Sequence, residues 1–133
     1  MKTHELRLGN IVNGVYYCDE KEDHLIHECK ILGLDSVGFS EYKVWVEALQ
    51  GNNSVEQYDG FTGIFLNPEW LCRFGYREKR GVYEIYNYFF LQWYNNRYHL
   101  GFNQMFTGVD LVYVHQFQNL VYSLTGKDPE LTG

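Results

Sequence analysis

Four cationic side chains, Arg73, Arg77, Lys79 and Arg80, fall within eight residues of a chain whose formal charge is −6. Tyr76 stands among them, and Tyr94, Arg97 and His99 follow a short way on. A guanidinium offers a rigid fork of donors that matches two phosphate oxygens, and an aromatic face stacks on a nucleobase. The combination is a recipe for holding a small anionic, nucleotide-like ligand. Arg73, Tyr76, Arg77, Arg80, Tyr94, Arg97 and His99 are therefore the candidate ligand-binding residues. The plainer reading makes Arg77–Arg80 a solvated turn leading into a hairpin.

Two other constellations carry less. His24, His27 and Cys29 form an H-x2-H-x-C pattern, with Cys18 able to face them across a hairpin. Zinc needs four convergent ligands, usually from paired clusters, and His24 stands in the acidic run 19–24. No metal ligand is assigned and no cofactor is expected. Cys72 and His115 could serve nucleophilic chemistry only if the fold brings them together. No G-x-S-x-G, H-E-x-x-H, Walker loop or dinucleotide glycine fingerprint occurs. No catalytic residue is assigned, and His115 reads better as a hydrogen-bonded interface residue.

The elements that must position these residues are marked in the chain. Asn95-Asn96 between two apolar runs predicts a tight hairpin, because Asn tolerates the positive φ that such turns need. The register that follows pairs Trp93 with Tyr98, Leu91 with Leu100 and Phe89 with Phe102 on an apolar face. The opposite face pairs Tyr94 with Arg97, Gln92 with His99 and Phe90 with Gly101. A three-residue loop at Tyr86-Asn87-Tyr88 adds Tyr83 and Ile85 to the apolar face. Before the cations, Asn67 suits a helix cap, Pro68 the first helical position and Gly75 the exit. Trp70, Leu71 and Phe74 would turn inward.

The longest helical pattern covers 109–126, with Thr107 and Asp110 as a T-x-x-D start and Gly126 as its stop. Val114, Phe117, Val121 and Leu124 form a stripe expected to lie across Leu91, Trp93, Tyr98 and Leu100. His115, Gln118, Asn119 and Tyr122 lie on the other arc, and no charged residue occurs over 111–126. A face without charges is expected to be covered by a partner subunit, by the chain itself or by a ligand. These four residues are the candidate interface or ligand contacts, and a homodimer is the expected assembly.

Upstream, residues 1–47 read as a β-meander broken by a Gly9-Asn10 turn, possessing the short curled strands of an SH3-like half-barrel. Residues 48–66 read as a long loop. Residues 67–133 complete one expected domain, with the short helix, the hairpins and the final helix. The fold class is α+β: a twisted, mainly antiparallel sheet of about six or seven strands with a short helix and a C-terminal helix across it. At 133 residues, 45% hydrophobic and 18% aromatic, with Tyr alone at 12, the chain supports one aromatic-rich core. Its negative charge argues against DNA or RNA polymers, which draw affinity from phosphate neutralisation. The three cysteines suit reduced thiols, and no membrane partner is expected, so a cytoplasmic location follows.

The segments LRLGNIV, NPEWLCRFGY and YVHQFQNLVYSLTGKDPEL together resemble a family of small proteins from phages, prophages and mobile elements of Bacteroidetes. The resemblance covers about half the chain and is most specific in its last 20 residues. It implies an accessory gene acting in bacterial cytoplasm. That family has no established activity, so no site residue is carried over from it. Three functions then compete: a non-catalytic binder sequestering a nucleotide-derived host defence signal, a protein–protein module, and an enzyme degrading such a signal.

Overall fold

Gly9 adopts a φ of 89°, and the turn it makes lets Asn10 serve two bonds. The Asn10 side-chain oxygen accepts from the Arg7 N–H at 2.6 Å, and its carbonyl accepts from the Ile31 N–H at 2.9 Å. Strand β1 (Ile11–Cys18) leaves this turn and pairs antiparallel with β2 (Asp23–Val37), which pairs in turn with β3 (Glu41–Ala48). Strand β4 (Gly60–Thr62) joins the free edge of β1, giving the order β3-β2-β1-β4. Leu6, Val12 and Ile31 are buried together, with Phe61 against them.

The computed structural model describes residues 6–18, 22–37, 41–49 and 60–132. Most of the loop expected over 48–66 lies outside the described residues, but Gly60–Thr62, expected within that loop, is a strand. The chain divides into two compact units, Met1–Ile64 and Phe65–Gly133.

The C-terminal unit begins with α1 (Pro68–Arg73), capped as its punctuation predicts. The Asn67 side chain accepts from the Trp70 N–H at 3.0 Å, and Gly75 takes a φ of 89° at the exit. Trp70, Leu71 and Phe74 are buried. Five strands follow as one antiparallel meander in chain order: β5 (Glu78–Lys79), β6 (Val82–Tyr86), β7 (Phe89–Tyr94), β8 (Arg97–Phe102) and β9 (Met105–Leu111). The tight turns joining them use left-handed residues: Arg80-Gly81, Asn87, Asn95-Asn96 and Asn103-Gln104.

The β7–β8 register is the one read from the sequence, from Tyr94↔Arg97 through Phe89↔Phe102. The preceding loop differs slightly. Tyr86 pairs with Phe89, so only Asn87 and Tyr88 turn, and the odd residue is absorbed as a bulge between Glu84 and Tyr86. Gly101 is required by its neighbour, since a Cβ there would run into the Phe90 ring. Gly101→Ala is expected to displace the Phe90 ring and cost about 1–2 kcal/mol. Urea denaturation checks this, and a Phe90→Ala background should remove most of the penalty.

The last helix, α2 (Val114–Thr125), starts later than expected. Thr107 is not its cap. Its hydroxyl donates to the Leu100 carbonyl at 3.0 Å and accepts from the Val109 N–H at 3.2 Å. With Gly108 at a φ of 89°, it closes a bulge between the His99↔Asp110 and Gly101↔Phe106 pairs. The T-x-x-D pattern thus serves a strand. The start of the helix is held instead by Gln116, whose side-chain oxygen accepts from the Val112 and Tyr113 N–H groups. Gly126, at a φ of 78°, ends it.

Val114, Phe117 and Val121 are buried as the stripe predicts, and α2 lies against β6. Phe117 meets the rings of Phe74 at 5.7 Å and Tyr76 at 5.4 Å. Among the described residues, the whole is an α+β fold of nine strands and two helices. All strand pairs are antiparallel, and the strands fall into two sheets. No helix of the described residues is long and apolar enough to cross a membrane.

Candidate functional site

At about 1.5 Å per residue, a 12-residue helix spans about 18 Å, less than the width of five strands spaced about 4.8 Å apart. The helical face of the sheet is therefore not all covered by α2. Trp93, expected beneath it, is 55% exposed, with its ring edge-on to Tyr98 at 4.9 Å. Beside these two rings opens a cavity of about 270 Å³. Tyr83, Trp93 and Tyr98 supply its aromatic wall, while Leu66, Asn67 and Pro68 border it from the turn ahead of α1. Glu78 and Gly81 complete the lining from the β5–β6 hairpin.

The strand register explains why these side chains meet. Glu78 pairs with Tyr83, Tyr83 with Leu91, and Trp93 with Tyr98, so alternation sends all of them to one face. Tyr83 and Tyr98 stand edge to face with centroids 6.2 Å apart. The same hairpin carries Lys79 and Arg80 between Glu78 and Gly81, both exposed, with Arg80 in the left-handed turn position at its tip. An apolar ring slot, one carboxylate and adjacent cations thus share one end of the sheet.

Burial, reinforced by Tyr83 and Glu78, pushes the Tyr98 phenol up to about 12. Tyr83 is raised by burial first, then by Glu78 and Cys72. Both phenols stay neutral at ordinary pH and remain available as donors. The shift has a stability consequence whose sign is fixed. Below the ordinary tyrosine value of 10.0 both folded and unfolded chains hold the Tyr98 proton, so its contribution is constant. Between about 10 and about 12 the unfolded chain releases a proton that the folded chain keeps. Stability therefore falls as pH rises through that window, by on the order of 1–2 kcal/mol. Urea midpoints at about pH 9 and about pH 11.5 should show this fall, and Tyr98→Phe should reduce it, leaving the smaller same-sign share of Tyr76 and Tyr83.

The residues expected to clamp an anion do not gather at one point. Tyr94, Arg97 and His99 lie on the opposite sheet face from the cavity. There, Arg97 pairs with Asp110 at 3.5 Å and His99 Nδ1 lies 2.7 Å from the same carboxylate. His99 Nε2 is 2.8 Å from the Tyr94 carbonyl, so each ring nitrogen already faces an acceptor. The Arg73 guanidinium lies 4.0 Å above the Trp70 ring, a cation–π contact that fixes it on α1. Tyr76 is half-buried against Phe117, and burial raises its phenol. Arg77 is exposed just ahead of β5. Of the named cations, Arg80 stands on the hairpin that lines the cavity.

The helix-face candidates separate as well. His115 and Gln118 are buried at 0% and 2% exposure, so the chain itself covers much of that uncharged arc. His115 stacks on Tyr113 at 5.6 Å with an interplanar angle of 12°. Asn119 is half-buried, and Tyr122 is exposed. Strand alternation sends His24 and His27 to opposite faces, and Cys29 is buried while His24 is exposed. Cys72 is exposed whereas His115 is buried.

Sequence reasoning passed over Glu78, Tyr83, Trp93 and Tyr98 as a site because all but Glu78 were assigned to the covered face. The available signal was length: too many inward aromatics for one helix to cover. Comparison with known proteins adds no relative, since no family model matches the chain and neither a curated protein nor a solved structure does. The chemistry of the site rests on its geometry.

Proposed function

We propose that this chain is a non-catalytic binder that sequesters a small nucleotide-derived signal in the aromatic cavity of its C-terminal unit. One observation carries the reading. The β5–β6 hairpin lines the cavity with Glu78 and Gly81 and carries the exposed Arg80 at its tip, between these two lining residues, whereas Lys79 alternates to the other face. A ligand with a planar ring and phosphates has both requirements met there: the ring against Tyr83, Trp93 and Tyr98, and the phosphate oxygens at Arg80. Retention rather than turnover is supported by the lining, in which, among the described residues, Glu78 is the one carboxylate and no thiol or imidazole occurs.

The resemblance to mobile-element proteins supplies the setting: an accessory protein acting in the bacterial host cytoplasm against a defence signal. A cyclic oligonucleotide or an ADP-ribose derivative has the required ring and phosphates. Incubation with such nucleotides followed by native mass spectrometry tests the reading. Retained mass, with intact ligand recovered after heating, supports it, whereas a processed product makes the chain an enzyme. The same spectrum counts subunits, since the two-copy assembly proposed from the uncharged helix arc now rests on Asn119 and Tyr122.

A second reading, a protein–protein module, is favoured by a separate observation. Tyr88, Phe102 and Met105 are exposed around the β6–β7 and β8–β9 turns, with Tyr88 and Phe102 in ring contact at 6.3 Å. Exposed apolar clusters of this kind mark docking surfaces. Under that reading no nucleotide shifts the melting temperature, and Met105→Asp abolishes partner capture.

A further inference from the structure

We propose that Glu78 makes the cavity selective for guanine, an inference that rests on the nucleotide reading above. The ring slot alone has no preference, because every base offers a π face to an aromatic side chain. Selection must come from the polar groups, and among the described lining residues these are, besides the phenols and the Trp93 indole N–H, the side chains of Glu78 and Asn67.

A carboxylate offers only acceptors, two oxygens side by side. Guanine is the base whose Watson–Crick edge presents two adjacent donors, N1–H and the N2 amino group. Adenine and cytosine each set one amino donor beside a ring-nitrogen acceptor, which would face the carboxylate lone pairs. Uracil sets one N–H between two carbonyls. Asn67 supplies the complement. Its side-chain oxygen is taken by the Trp70 N–H at 3.0 Å, so the amide nitrogen is the group left to donate, and guanine O6 is an acceptor. The cavity therefore carries acceptors and a donor of the kinds that one guanine edge needs. That narrows the ligand classes above to a guanine-bearing cyclic oligonucleotide and disfavours the adenine-bearing ADP-ribose derivative.

The same rings and carboxylate would also suit an alkylammonium cation, since cations sit on aromatic faces. Arg80 at the tip of the bordering hairpin opposes that occupant and favours a phosphate-bearing one.

Isothermal titration of the full chain with GMP, IMP, AMP and choline tests the inference, alongside Glu78→Gln. Glu78 is exposed in a short hairpin and the replacement is isosteric, so the variant should fold, and its melting curve verifies this. GMP is expected to bind about 10- to 100-fold tighter than AMP, with IMP weakened by loss of the second donor. In Glu78→Gln the preference for GMP over AMP should collapse toward unity. Equal affinity for GMP and AMP in the unaltered chain overturns guanine selection while leaving the nucleotide reading intact. Choline binding that Glu78→Gln abolishes, with no nucleotide bound, overturns both, as does the binding of none of the four.

Discussion

Replacing Phe117 with alanine is expected to remove most of the stability of the C-terminal unit. Phe117 is 0% exposed and touches the rings of both Phe74 and Tyr76, which tie α2 to α1 and to the segment entering β5. Deleting a fully buried phenylalanine ring costs about 3–5 kcal/mol in lost transfer and an unfilled cavity. A unit of roughly 70 residues has only about 3–10 kcal/mol to lose. Urea denaturation followed by Trp70 and Trp93 fluorescence, in a Trp45→Phe background, measures the loss. Phe117→Leu keeps most of the volume and should cost less than about 1.5 kcal/mol. Tyr122→Ala, on the exposed side of the same helix, should change stability by less than about 0.5 kcal/mol. A small effect at Phe117 would mean that the helix does not hold this unit together.

That contrast also shows which parts of the fold were legible in the sequence. Phe117 and its stripe were readable because helical periodicity is repeated over three turns and tolerates local errors. The Asn95-Asn96 hairpin was readable because a two-residue turn fixes the register of every pair behind it. The start of α2 was misread because Thr107 and Asp110 satisfy a capping pattern locally, while the strand pairing of His99 with Asp110 is decided by tertiary contacts. One available signal went unread. An aromatic followed by Asn recurs at Tyr86-Asn87, Tyr94-Asn95 and Phe102-Asn103, and each of these asparagines turns a hairpin with positive φ. That spacing announces β9, and with it a later helix start.

The site divided along the same line. The cation run was visible, but a sequence cannot say which face of a sheet each cation joins until every turn is placed. One strand pair decides it: Tyr94↔Arg97 lies on the opposite face from Trp93↔Tyr98. Arg97 was thereby separated from the aromatic cavity, and Glu78 was brought into it.

Trp93→Ala is accordingly expected to cost binding without costing stability. The indole is 55% exposed and, among the described residues, packs its ring on Tyr98, so its removal leaves little unfilled volume and less than about 1 kcal/mol of destabilisation. A base stacked on an aromatic side chain is worth about 1–3 kcal/mol, which predicts an affinity loss of about 5- to 150-fold. Arg80→Ala should also weaken binding, and its effect should shrink as salt rises, because it removes a charge at the surface. Arg97→Ala should leave affinity within about twofold, since its guanidinium faces Asp110 on the other side of the sheet. Titration of one nucleotide against the three variants therefore locates the site by face. Loss at Trp93 and Arg80 with none at Arg97 places the ligand in the cavity. The reverse pattern would move it to the outer surface, where Tyr94, His99 and Phe106 form the alternative aromatic platform.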